Sequence, residues 1–165
     1  MKKILHKAWL LTGGNMGDRK DQLAKAKELL NEQCGQITKH SSLYETAAWG
    51  NTDQPAFLNQ ALELETIMSA RQLMRQILKI EKQIGRIRKE KYGPRIIDID
   101  ILLFNNEVHN NSLLQLPHPE MQNRRFALLP LSEIAPKEIH PVLKKTIAQL
   151  LEECPDELTV KKITH

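Results

Sequence analysis

The stretch Arg95-Ile96-Ile97-Asp98-Ile99-Asp100-Ile101-Leu102-Leu103-Phe104 constrains this chain more than any other. Isoleucines alternate with two carboxylates, and a period of two predicts a strand over Ile96 to Phe104. Ile97, Ile99, Ile101 and Leu103 then share one face, with Asp98 and Asp100 on the other. Two neighbouring carboxylates repel each other unless something positive stands between them. Magnesium suits such a pair, because carboxylate and phosphate oxygens together complete its octahedron. The alternative is a wet sheet face with aspartate as polar filler, against which stands the poor strand propensity of aspartate.

The residues before this strand favour a phosphate ligand. The formal charge of +4 is mild. Between Arg71 and Arg95, however, Arg71, Arg75, Lys79, Lys82, Arg86, Arg88, Lys89, Lys91 and Arg95 are opposed only by Glu81 and Glu90. That concentration points to a polyanion such as a nucleotide, a nucleic acid or an acidic surface. Arg86, Arg88 and Arg95 flank the irregular segment beside the aspartates and suit bidentate bonding to phosphate. Lys89 and Lys91 read as solvated.

Ala8 to Thr12 reads as a strand, and Asp18 as the cap of a helix to about Gln33 that buries Leu23, Ala26 and Leu30 and ends at Gly35. A second strand is expected over Ile37 to Tyr44. A turn-rich loop runs to Pro55, and an alternating strand follows from Phe57 to Thr66. Ser69 with Gln72 forms a capping box for a helix burying Leu73, Ile77, Ile80 and Ile84, with the basic stripe opposite. Beyond Phe104, Asn105-Asn106 predicts a tight turn into a hairpin partner around Val108. Short helices are expected over Asn123 to Leu129 and Leu143 to Leu151, and a last strand near Leu158 to Ile163. This order predicts an α+β fold with a largely antiparallel sheet, a ferredoxin-like βαββαβ core with helices packed on it and an extra hairpin and C-terminal elements.

A chain of 165 residues with 41% hydrophobic and 27% charged residues is expected to form one domain over 1–165. The apolar start is broken at His6-Lys7, and no apolar run approaches membrane-spanning length, so a cytoplasmic protein is expected. Cys34 and Cys154 are expected as reduced thiols. The six histidines lack zinc spacing.

Three further features bear on chemistry. Phe57 and Asn59 share the strand face opposite the leucines, so they either stack on and bond a flat ring or lie under a covering helix. Gly13-Gly14-Asn15 is accounted for by a tight strand-to-helix turn, and no Gly-x-x-x-x-Gly-Lys-Ser/Thr loop occurs anywhere. His118, between Pro117 and Pro119, either contacts phosphate or caps a turn.

Several segments together resemble the 6-hydroxymethyl-7,8-dihydropterin pyrophosphokinase family (2-amino-4-hydroxy-6-hydroxymethyldihydropteridine diphosphokinases). They are Tyr44 to Gly50, Asp53-Gln-Pro-Ala-Phe-Leu-Asn59, Glu81 to Arg88, Tyr92-Gly-Pro-Arg-Ile-Ile-Asp-Ile-Asp-Ile-Leu-Leu-Phe104, Leu116-Pro-His-Pro119 and Asn123-Arg-Arg-Phe126 through Leu131. The resemblance implies a magnesium-dependent enzyme of folate biosynthesis that transfers pyrophosphate from ATP to the pterin hydroxymethyl group and releases AMP. It implies two Mg2+ ions on Asp98 and Asp100, and Arg86 and Arg95 as catalytic arginines. Glu81, Arg88, Ile101, His118 and Arg124 would surround ATP. Phe57 and Phe126 would sandwich the pterin, with Asn59, Thr46, Ala48 and Trp49 at its edge. Loops after Gly13, around Ala47 to Pro55 and around Arg86 to Pro94 would close over both substrates.

The sequence departs from the family pattern at Gly14, Trp49, Tyr92, Gln115 and Pro119, and the third loop is a residue short. A monomer acting on small molecules, without nucleic acid or membrane, is expected. The competing readings are a ferredoxin-like RNA-binding module and an ATP-binding regulator without catalysis.

Overall fold

The computed structural model describes residues 4–47, 55–85 and 96–163. Among these residues eight strands and four α-helices follow in the order β1 (His6–Gly14), α1 (Arg19–Gln33), β2 (Gln36–His40), β3 (Leu43–Thr46), β4 (Phe57–Thr66), α2 (Ala70–Ile84), β5 (Asp98–Phe104), β6 (His109–Asn110), β7 (Gln115–Leu116), α3 (Arg125–Ile134), α4 (Ile147–Glu152) and β8 (Val160–Ile163). Six strands form one antiparallel sheet in the order β5-β1-β4-β3-β8, with β2 also on β4. The order is consistent with the expected ferredoxin-like core.

The two long helices form where their local signals stand. Asp18 accepts the Asp21 amide at the start of α1, and Ser69 and Gln72 close their reciprocal box at the start of α2. Their apolar stripes, Leu23, Ala26 and Leu30 with Leu73, Ile77, Ile80 and Ile84, pack on Leu10, Leu58, Leu62, Leu64, Ile97, Ile99 and Ile101 of the sheet. A second core lies on the opposite sheet face, where α3 and α4 bring Leu128, Leu131, Ile147 and Leu150 against Trp9, Leu11 and Ala61.

Several sequence expectations are corrected. The strand expected over Ile37 to Tyr44 is two strands. Ser41 breaks it, because its hydroxyl accepts the Ala61 amide at 2.9 Å in place of a main-chain acceptor. Gly35 does not end α1 by a left-handed turn; Cys34 caps the helix in right-handed geometry. What Gly35 supplies is room, since a Cβ there would lie 2.1 Å from the Glu65 carbonyl oxygen.

The turn at Asn105 forms with φ +49°, but β6 pairs with β7 and not with β5. Asn105 is tied instead to β1, its amide donating to the Lys7 carbonyl oxygen and its Oδ1 accepting the Lys7 amide. Helix α3 runs through Pro130 to Ile134, past the expected end at Leu129. Pro130 and Leu131 are buried, and that burial offsets the hydrogen bond that a proline removes. Arg71, Arg75, Lys79 and Lys82 line the exposed face of α2, across the sheet from Asp98 and Asp100. This part of the basic concentration is solvated surface and does not face the aspartates.

The segment between α3 and α4 depends on a neutral histidine. Nδ1 of buried His140 accepts the amides of Val142 (3.2 Å) and Leu143 (3.0 Å), and burial holds the imidazole below its ordinary pKa. The unfolded chain therefore takes up this proton first, near pH 6.5. The contribution to stability is complete above that pH and is lost as pH falls through the lower folded value. His140→Asn, which keeps an acceptor without a titrating ring, is expected to lose less stability between pH 7.5 and 5.5 than the parent chain. Urea midpoints at the two pH values measure this, and equal losses would refute it.

Candidate active site

Directly opposed residues in an antiparallel ladder present their side chains on the same face. Asp98 stands opposite Gly13, and Gly13 opposite Asn59; in the next row Asp100 stands opposite Leu11, and Leu11 opposite Ala61. Leu11 and Ala61 belong to the core under α3 and α4. The aspartates and Asn59 therefore lie on that same face. With strands about 4.8 Å apart, Asp98 and Asn59 bracket a trough roughly 10 Å wide over a residue that has no side chain.

Gly13 has a purpose the strand-to-helix reading missed. The Asn59 amide leans across it, so that a Cβ on residue 13 would lie 2.1 Å from Nδ2. Nδ2 donates to the Thr12 carbonyl oxygen at 3.3 Å, which fixes which end of the amide is oxygen. Asn59 is 5% exposed, and its buried Oδ1 has no hydrogen-bond partner among the described residues. A buried acceptor of this kind calls for a donor from a ligand or an ordered water.

Among the described residues the strand carrying the aspartates is an edge strand, and contacts beyond its ladder with β1 help hold it. The Ile99 amide, between the aspartates, donates to Glu81 Oε2 at 2.8 Å. Glu81, expected near ATP, is buried with its carboxylate on this strand backbone. Further along, β5 carries a bulge: Trp9 pairs with Leu103 but Leu10 with Ile101. The bulge turns Leu103 into the core beneath α3 and away from the face of Ile97, Ile99 and Ile101, where alternation had put it. It leaves the Leu102 carbonyl oxygen to accept the His118 amide at 3.0 Å. Ile101 is 2% exposed inside the core, so only its main chain is left to face a ligand.

His118 takes the turn-capping role of the two weighed for it. Its Nδ1 accepts the Glu120 amide at 3.2 Å, capping the turn and placing the proton on Nε2. Burial lowers its pKa, Asp100 and Glu120 oppose that shift, and Arg124 reinforces it, which places His118 within the field of Asp100 and Arg124. Arg124 is the N-cap residue of α3, and its guanidinium lies 5.7 Å from the centre of the Phe126 ring. Phe57 is half-buried on the Asn59 face of β4. Thr46 stands opposite Phe57, and its hydroxyl donates to the Thr159 carbonyl oxygen at 3.2 Å. That hydroxyl's proton is engaged within the protein, while its oxygen can still accept.

Arg86, Arg88, Arg95, Ala48 and Trp49 lie outside the described residues, as does Tyr92. Two anchors at the end of the second loop went unread in the sequence. Asn15 Nδ2 donates to the Pro55 carbonyl oxygen at 3.1 Å, and Arg19 donates to that of Ala56 at 2.9 Å while pairing with Glu45 at 2.8 Å. The near-complete burial of Asn15 is what the sequence could not display.

Among the described residues no three His, Cys, Asp or Glu side chains gather as a metal cluster. Asp98 and Asp100 offer hard oxygen donors on one face, and this set fits a hard cation that takes its remaining oxygens from a ligand. The described thiols are free, and no described helix is long and apolar enough to cross a membrane. Helices α3 and α4 cover the remainder of the sheet face that an RNA-binding ferredoxin-like module would keep open.

The fold is shared with a Plasmodium falciparum HPPK-DHPS crystal structure, with a TM-score of 0.71 at 17% identity over 93% of this chain and 45% of that longer chain. In sequence the chain is 43% identical over 141 residues to the 2-amino-4-hydroxy-6-hydroxymethyldihydropteridine pyrophosphokinase of Aquifex aeolicus, covering 86% of this chain and 88% of that protein. The Bacillus subtilis protein of the same name is 43% identical over 128 residues, 77% of each chain. Residues 9–136 match the family model for 7,8-dihydro-6-hydroxymethylpterin-pyrophosphokinase. The chain, with its two aspartates, glycine trough and buried asparagine, belongs to the 7,8-dihydro-6-hydroxymethylpterin-pyrophosphokinase family.

Proposed function

We propose that this chain transfers the pyrophosphate of ATP to the hydroxymethyl group of 6-hydroxymethyl-7,8-dihydropterin, releasing AMP, as a magnesium-dependent monomer in cytoplasmic folate biosynthesis. The observation that carries the reading is the row Asp98–Gly13–Asn59. It puts a carboxylate and a buried amide oxygen without a partner among the described residues on one face, which supports a nucleotide end and a pterin end across one trough.

Asn59 Oδ1 accepts an N–H from the edge of the pterin, and its burial makes that bond selective. Phe57 and Phe126 supply ring faces for the flat substrate, and Thr46 and the loop backbone near Ala48 and Trp49 its edge contacts. Asp98 and Asp100 would hold two Mg2+ ions, which would supply charge neutralisation for the phosphates. His118, kept neutral, offers Nε2–H to a phosphate oxygen. Glu81 holds the strand backbone between the aspartates, while Ile101, Arg88 and Arg124 flank the nucleotide.

The hydroxymethyl oxygen attacks the β-phosphorus in line, the bond from that phosphorus to the α,β-bridging oxygen breaks, and the hydroxyl proton leaves to solvent. Arg86 and Arg95 meet the charge that develops on the phosphate oxygens. Positioning dominates such a transfer, so no strong general base is required.

Incubating the chain with ATP, Mg2+ and the reduced pterin tests this reading. AMP release that needs both the pterin and the metal supports it. ATP binding without pterin-dependent AMP release would overturn it in favour of a regulator.

A further inference from the structure

Helix α3 begins without a cap of its own: its N-cap residue, Arg124, makes no side-chain cap bond. The missing acceptor comes from far along the chain. Asp156, 9% exposed, accepts the Arg125 amide on Oδ2 at 3.1 Å and the Leu158 amide on Oδ1 at 2.9 Å. Three residues later the Thr159 carbonyl oxygen accepts the Thr46 hydroxyl. From there β8 pairs along β3, with Val160 opposite Thr46 and Ile163 opposite Leu43.

One short segment, 156–163, thus joins two walls of the proposed pterin site. Its first residue holds the opening turn of α3, which carries Arg124 and Phe126. Its later residues hold the end of β3, which carries Thr46 beside Phe57. The far end of α3 is fastened separately. Glu133 accepts the Tyr44 hydroxyl at 2.5 Å and the Ser42 amide at 2.9 Å. The helix is therefore pinned at both ends, and the end that bears the substrate residues is pinned by Asp156.

We propose that Asp156 is a positioning residue for pterin binding: by capping α3 from the C-terminal segment, it sets the Phe126 wall at a fixed place relative to Thr46 and Phe57. The inference rests on the pyrophosphokinase reading above. A carboxylate is well suited to the task, since it satisfies two amides at once and complements the positive end of the helix.

The test compares Asp156→Ala with Glu133→Gln, which loosens the same helix at its other end, in steady-state AMP release well below both melting temperatures. Asp156→Ala is expected to raise the KM for 6-hydroxymethyl-7,8-dihydropterin about tenfold, with kcat changed less than the KM. Asp156→Asn, which keeps one acceptor oxygen, is expected to fall between it and the parent chain, and it serves as the test variant if the alanine variant does not fold. Glu133→Gln is expected to lower the melting temperature while leaving that KM within about twofold of the parent. An unchanged KM in the Asp156 variants, or an equal rise in Glu133→Gln, overturns the positioning role. An inactive parent chain instead overturns the pyrophosphokinase reading and this inference with it.

Discussion

Asp98→Ala is expected to lower pterin-dependent AMP release by about a thousandfold or more, equivalent to roughly 4 kcal/mol of lost transition-state stabilisation. The side chain is half-buried at the start of an edge strand, and its neighbour Asp100 lies within electrostatic reach of His118. Removing one carboxylate leaves too few protein oxygens on this face to hold two cations against a triphosphate. The loss should appear in kcat, because the affected interactions strengthen as phosphate charge redistributes. Circular dichroism and a thermal melt establish that the variant is folded. Residual turnover within tenfold of the parent would remove the aspartate pair from the chemistry.

Gly13→Ala is expected to weaken pterin binding roughly tenfold to a hundredfold while leaving the affinity for an ATP analogue nearly unchanged. A Cβ at residue 13 would lie 2.1 Å from Asn59 Nδ2, so the amide has to swing away from the Thr12 carbonyl oxygen, taking with it the Oδ1 that has no partner among the described residues. Titration calorimetry with each ligand measures the two effects. The decisive comparison is a double-mutant cycle: in an Asn59→Ala background the Gly13→Ala change should cost little further. If the two substitutions add in full, Gly13 acts by some route other than the asparagine.

Local signals account for much of what was legible. The Asp18 cap, the Ser69–Gln72 box and the alternation over Phe57 to Thr66 rest on neighbours within a few residues, and each element formed where expected. The failures share another cause. Ser41 splits a strand by bonding to Ala61, the Asn105 turn follows Lys7, and α3 passes through Pro130, which tertiary packing buries. In each case the deciding partner is remote in sequence. The basic stripe of α2 was legible as a stripe, but which side of the sheet it would occupy was not.

The same division runs through the site. The sequence by itself determined that Asp98 and Asp100 share a face, that Phe57 and Asn59 share one, and that the family motifs occur in order, since strand alternation and motif spacing are properties of contiguous residues. Only the tertiary structure decided that one member of each pair, Asp98 and Asn59, flanks the same glycine, that Asn59 Oδ1 has no partner among the described residues, and that Asp156 caps the helix bearing Phe126. Strand register and long-range hydrogen bonds depend on how separate segments pack against each other, and no local pattern encodes that choice.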